Sequence, residues 1–447
     1  MRIFSSYIIG LFFLIPFCHA QQTKDLDNLL VSYTDGLQQL EIPAFTYDYR
    51  TYFQRIPDIT KLEEQKQFFS KFNSELATFS SKEFSASDKI AFDHLKYECT
   101  FQLERVQLEM AWVTKGREIT SGGIYGFYQK DKWYSHFIKK ITTLQISPEE
   151  IMAFGMEEVS RINAEIDQIR KKNGFASLEE MYVFLNHDSF YLSDKKVIHE
   201  AFGRVDSIAR RSLKSYAGDL RIPEIYPMEW PGAGAHTPPG IYLNRTQNAF
   251  GKDVFQYNFY GERYNKRMIE WLYMHEAIPG HHLQASIRAE HHPDILQEQS
   301  IYPGNFEGWA CYVEYQGRAL GLMKDDFSYL GWLEWDLVRS ARLVLEAGIH
   351  HAGWSKELAH KFWQDHIYGQ DEIADREITR VSNWPGQALS YKLGARFISE
   401  LFAKEKKHSP SISQGDMHYT FLKMGMRPLT VIDTHFGVLL DNIKKKD

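Results

Sequence analysis

The segment Met274-His275-Glu276-Ala277-Ile278-Pro279-Gly280-His281-His282-Leu283-Gln284 places three histidines, a glutamate and a Pro-Gly pair in one helical stretch. A helix carrying two His one turn apart, with a Glu beside the first, brings both imidazoles to one metal ion. It also leaves the Glu to take a proton from water. Here the spacing is longer, His-Glu-x-x-x-x-His, and an unbroken helix would turn His281 about 240° away from His275. The two can share a metal only if the backbone leaves the helix between them. Pro279-Gly280 supplies that departure, because Pro removes a backbone donor and Gly relaxes the backbone. His282 would face as His275 does but about 10 Å along the axis, so His281 is the preferred second ligand. For this segment alone, a histidine-rich turn without metal is the plain alternative.

A second segment shifts that balance. Asn305-Phe306-Glu307-Gly308-Trp309-Ala310-Cys311-Tyr312-Val313-Glu314 holds two carboxylates two turns apart, on one helix face. One can complete a His₂Glu zinc site with a position open for water, and the other can orient a ligand from behind. Apolar and aromatic neighbours argue against a solvated face, since buried carboxylates need partners.

The surrounding chain reads as helical. Ser147-Pro148-Glu149-Glu150 is a capping box with Pro in the first turn, opening a helix through Ile151, Val159, Ile162, Ile166 and Ile169 to Asn173-Gly174. Ser177 with Glu180 repeats the start signal. Phe327 to Glu346 is periodic, with Gly348 as the expected stop, and Ser355 starts a helix towards His366. Before about residue 145 the chain is helical too, with no chemistry to place. The exception is Gly240-Ile241-Tyr242-Leu243-Asn244, a short strand after a turn-rich run. As an edge strand, its Tyr242 and Asn244 could pair with extended peptide backbone.

His275 to Gln284 resembles the HEAxPGHHxQ signature of the DUF885 family of bacterial proteins. Phe306 to Glu314 is similar to its F-x-E-G-W-A-x-Y-x-E segment. Arg339 to Val344 with Gly348-Ile349-His350 and Gly353-Trp354-Ser355, Pro385 to Gly394, and Gly425 to Leu429 follow its later blocks in order. The resemblance spans about residues 147–443, with departures at Glu346, Val381 and Trp384. It implies kinship with helical zinc peptidases of the thimet oligopeptidase and M32 carboxypeptidase type. There a Glu on a later helix is the third ligand and a second Glu follows seven residues on, a pattern that Glu307 and Glu314 fit.

The expected protein is mostly α: a large helical, gluzincin-like peptidase domain with a small β element beside the active-site cleft. Zn²⁺ would be held by His275, His281 and Glu307, with Glu276 as general base and Glu314 and His282 behind the ligands. The resemblance offers Tyr391, then His350, as donors to the developing oxyanion; a core tyrosine is the plain alternative for Tyr391. Arg380 could pair with a substrate carboxylate or form a structural ion pair. Two other functions stay open: a metal-bound peptide-binding protein that no longer cleaves, and a metal hydrolase of a non-peptide amide or ester. Neither the cutting mode nor the oligomeric state is written in these residues.

Composition sets the outer bounds. The chain has 447 residues, a formal net charge of −6, 43% hydrophobic and 25% charged residues. This excludes a mostly disordered chain and argues against a nucleic-acid binder, which carries a basic surplus. Residues 1–20 resemble a signal peptide: Arg2, an apolar run from Tyr7 to Phe17, then Cys18-His19-Ala20. They predict export to the periplasm or beyond, with residues 21–447 as one domain. Phe17 stands where a lipoprotein signal wants a small residue, so a lipid anchor at Cys18 is disfavoured. No later stretch reads as a membrane span. Cys99 and Cys311 cannot build a disulfide framework, and Cys311 reads as a buried thiol.

Overall fold

The computed structural model describes residues 14–79, 84–115, 118–217, 222–291 and 294–444. Most of the expected signal segment, residues 1–13, lies outside the described residues. Contacts gather into two compact units. Among the described residues, the smaller comprises 14–44, 55–79, 84–115 and 294–300, and the larger 45–54, 118–217, 222–291 and 301–444. No described helix is long and apolar enough to cross a membrane.

In the smaller unit, α1 (Leu14–Gln39), α2 (Ile59–Leu76) and α3 (Ala86–Lys115) carry the structure, with α2 packed along α3. Asp58 caps α2 by accepting from the Lys61 amide. Inside, Arg105 donates to Glu109 and to Gln65 at 2.7 Å, so a buried cation is matched by its neighbours.

The larger unit is also mostly helical. It contains α4 (Lys130–Thr142), α5 (Pro148–Lys172), α6 (Leu178–Leu185), α7 (Lys195–Ala217), α8 (Ile269–Glu276), α9 (His281–Glu290), α10 (Pro303–Glu314), α11 (Asp326–His350), α12 (Lys356–His366), α13 (Asp371–Asn383), α14 (Leu389–His408), α15 (Gln414–Met424) and α16 (Leu429–Lys444). The capping box at Ser147 and Glu150 forms as the sequence predicts, and Ile151, Val159, Ile162, Ile166 and Ile169 are buried. That apolar face lies along α11, where Gly155 lets the helices approach: a Cβ there would stand 2.8 Å from Val344.

The expected stop at Gly348 is corrected, because α11 runs on to His350. Gly348 is small for another reason: a Cβ there would lie 2.5 Å from the Trp354 ring. Contact, rather than termination, explains the glycine.

Two arrangements position the site. First, α10 and α14 touch through glycines. A Cβ on Gly308 would be 2.6 Å from Gly394 Cα, and one on Gly394 would be 2.1 Å from the Gly304 carbonyl. This close approach brings Glu307 of α10 and Tyr391 of α14 to the same cavity. Second, β1 (Tyr226–Glu229), β2 (Gly240–Leu243) and β3 (Val254–Tyr257) form a sheet in the order β1-β3-β2. The strand expected at Gly240 is β2. It pairs antiparallel with β3 in the register Tyr242↔Phe255 and forms an edge of the sheet.

Candidate metal centre

The helix carrying His275 ends at Glu276, and a new one begins at His281. Between them Ala277 leaves helical geometry (φ −108°, ψ −100°), the Ile278–Pro279 bond is cis, and Gly280 is non-helical (φ −80°, ψ −131°). The Trp309 indole N–H donates to the Pro279 carbonyl at 2.9 Å, tying this break to α10. Gln284 donates to Asn305 at 3.0 Å and joins α9 to the same helix. The departure that the six-residue His spacing demands is therefore built and braced. Gly280 is indispensable to it, since a Cβ would stand 1.9 Å from the His275 carbonyl oxygen. Gly280→Ala is expected to lower the melting temperature, in line with the ~1–3 kcal/mol typical of overpacking. It should also abolish stoichiometric zinc uptake; a variant that melts and binds zinc like the wild type would contradict this account of the turn.

The break turns both imidazoles to one point. The rings of His275 and His281 lie 4.8 Å apart, and each Nε2 is 3.5 Å from Glu307 Oε2. One donor atom from each of the three residues lies within 4.8 Å of the others. Burial alone would raise Glu307, but hydrogen bonds from the two histidines outweigh it and hold the carboxyl well below its usual range. His281 stacks on Phe306 at 3.8 Å, and its Nδ1 is buried without a hydrogen-bond partner among the described residues.

Behind His275, Nδ1 donates to Glu314 Oε1 at 2.7 Å, and Glu314 Oε2 accepts from Arg339 at 2.6 Å. This carboxylate fixes the tautomer that leaves Nε2 for the site. Two imidazole nitrogens, one carboxylate and an oriented first histidine fit a divalent zinc ion. Glu314→Gln is expected to weaken zinc affinity about 10–100-fold; unchanged affinity in a chelator competition would show that Glu314 does not orient the ligand.

Glu276 ends α8, buried, and its Oε2 accepts from the Tyr242 amide of β2 at 2.8 Å. The Tyr391 ring lies 6.5 Å from His275, nearly parallel, and its hydroxyl accepts from Arg380 Nη2 at 3.0 Å. Arg380 also donates to Gln387 at 3.0 Å. His275, Glu276, Arg380 and Tyr391 line a cavity of about 600 Å³, along with Tyr242 and Asn244.

Some expected members turn their side chains to other partners. His350 is not in the cavity wall. Its Nε2 donates to the Val381 carbonyl at 2.9 Å, Nδ1 accepts from the Ile124 amide at 3.4 Å, and burial pulls it down to about 4. It is a core histidine joining three segments. His282 does not touch the ligand cluster either; it lies buried 3.5 Å from Asp253, with its ring against Tyr242. Asn244 keeps its side chain in its own turn, accepting from Thr246 N at 2.7 Å and Thr246 Oγ1 at 2.6 Å. Cys99 and Cys311 are both free and buried.

Sequence reasoning gave no role to Arg339, Arg342, Glu377, Tyr47 or Trp309. Arg339 and Arg342 had a signal: two cations on one face of an apolar helix. Tyr47 is distant in sequence and had none. Its hydroxyl is pushed up by burial and by the nearby Glu307 and Tyr391.

A family model described as bacterial protein of unknown function, DUF885, matches residues 129–436. The chain belongs to the DUF885 family. The match begins earlier and ends sooner than the expected 147–443 and contains every residue of the donor cluster. No curated protein matches the chain. Among solved structures, this DUF885 chain is similar to a candidate lipoprotein from Colwellia psychrerythraea. The TM-score is 0.65 at 22% identity, over 86% of this chain and 69% of that one. It is also similar to a candidate lipoprotein of unknown function from Shewanella oneidensis, with a TM-score of 0.57 at 17% identity, over 95% and 79%. At these identities the likeness speaks to the DUF885 fold alone.

Proposed function

We propose that this chain is an exported zinc-dependent peptidase of gluzincin type, with His275, His281 and Glu307 as the metal's ligands. The observation that carries the reading is the convergence of those three donors on the wall of a cavity that also holds Glu276 and an edge strand. A zinc ion held there would supply Lewis acidity, polarising a scissile carbonyl and easing deprotonation of water.

The remaining work falls to the chain. The Tyr242 amide fixes one oxygen of Glu276, which leaves the other to take the attacking water's proton and pass it to the leaving amine. Tyr391, its hydroxyl already accepting from a guanidinium, is a primed donor to a developing oxyanion. The β2 edge supports an extended backbone by strand addition. Export rests on the apolar N-terminal run and agrees with the description of both structural neighbours as candidate lipoproteins.

Incubating the purified, zinc-loaded protein with a peptide mixture and reading products by mass spectrometry tests the reading. New termini that vanish with chelator and return with zinc are expected. Their absence with the metal site filled would leave a non-peptide amide or ester hydrolase or a binding protein.

A further inference from the structure

Part of the cavity wall gathers buried guanidinium groups with few hydrogen-bonded carboxylate partners. Arg339, Arg342 and Arg380 all line the cavity, with guanidinium carbons 5.8, 5.3 and 5.6 Å from the Tyr391 ring centre. Arg339 is matched by Glu314 at 2.6 Å. Arg342 donates through Nε to Glu377 Oε2 at 2.8 Å, but Arg376 already holds Glu377 Oε1 at 2.8 Å. Arg380 hydrogen-bonds only to the neutral Gln387 and Tyr391 among the described residues, with Glu377 and Glu307 near enough to act on it through charge. Arg342 and Arg376 therefore share one carboxylate, and Arg380 hydrogen-bonds to none. The other buried carboxyl nearby, Glu346, is pushed up to about 8 by burial and accepts from the Gly386 amide at 2.9 Å. It is a poor counter-ion.

Buried cations are costly unless paired. Arg342 is only 3% exposed, and its two terminal nitrogens make no hydrogen bond to the described residues. A guanidinium fork aimed into a cavity suits a carboxylate, which it can bind bidentately. The position adds to this. Tyr391 has His275 6.5 Å to one side and the two arginines within 5.6 Å of the same ring. One extended residue covers about 3.3–3.6 Å.

We infer that the substrate carries a carboxylate within one or two residues of the bond that is cut, held by Arg342 and Arg380. The inference rests on the peptidase reading above. The carboxylate has two sources, the peptide's own C-terminus or an Asp or Glu side chain. In the first case the enzyme trims chain ends.

Two random peptide libraries, one with free C-termini and one C-terminally amidated, test this on the zinc-loaded protein. Cuts confined to the last two residues of the free-acid library, at least about tenfold faster than in the amidated one, assign the terminus. Equal rates with amidated cuts clustered beside Asp or Glu assign the side chain. Equal rates at sites with no carboxylate within two residues overturn the inference and leave the peptidase reading intact. If neither library is cut, the peptidase reading falls, and calorimetry with N-acetylalanine against its amide decides the carboxylate site. About tenfold tighter binding of the acid, lost in Arg342→Met and weakened in Arg342→Lys, supports it. Equal binding to the wild type overturns it without requiring either variant to fold.

Discussion

Glu276→Gln is expected to keep one zinc per chain while kcat/KM on a cleaved peptide falls by at least about 10²-fold, the low end for loss of a general base. The geometry makes this substitution clean. Glu276 Oε2 accepts from the Tyr242 amide at 2.8 Å, and a glutamine carbonyl can accept the same hydrogen bond. The α8 terminus and the β2 edge should both stay in place, so a lost rate cannot be assigned to a lost fold. An amide has no basic oxygen to take the water's proton. Turnover at the wild-type rate would remove Glu276 from the role and point to another base.

The second large effect concerns the ligands. His281→Ala and Glu307→Gln are each expected to drop zinc from one ion per chain to a substoichiometric level after dialysis. His282→Ala should retain it. Each Nε2 of His275 and His281 lies 3.5 Å from Glu307 Oε2, whereas His282 faces Asp253 and the Tyr242 ring. His282 is fully buried, so His282→Ala should still lower the melting temperature through lost packing. Metal analysis beside a thermal melt separates the two outcomes. Zinc lost in His282→Ala but kept in His281→Ala would reverse the ligand assignment.

Much of this was legible in the sequence because it was local. The capping box at Ser147, the periodic apolar face of α5 and the strand at Gly240 are decided by neighbouring residues, and the structure shows them all. The break at Pro279-Gly280 was legible for a stronger reason: two histidines six apart can meet only if the helix fails between them. Gly348 misled because glycine has two uses, ending a helix or admitting a neighbour, and only the distant Trp354 decides which. His350 misled in the same way, since its partners Val381 and Ile124 come from other segments. Arg342 and Arg380 show the limit most clearly. Their charges stand on different helices, and only the fold reveals that Arg342 shares Glu377 with Arg376 while Arg380 hydrogen-bonds to the neutral Gln387 and Tyr391.

Anomalous diffraction at the zinc edge, from crystals of the zinc-loaded chain, locates the metal and its ligands. One peak is expected, about 2.0–2.2 Å from His275 Nε2, His281 Nε2 and a Glu307 carboxylate oxygen. No peak at that point, or a peak ligated by His282 instead of His281, would contradict the account.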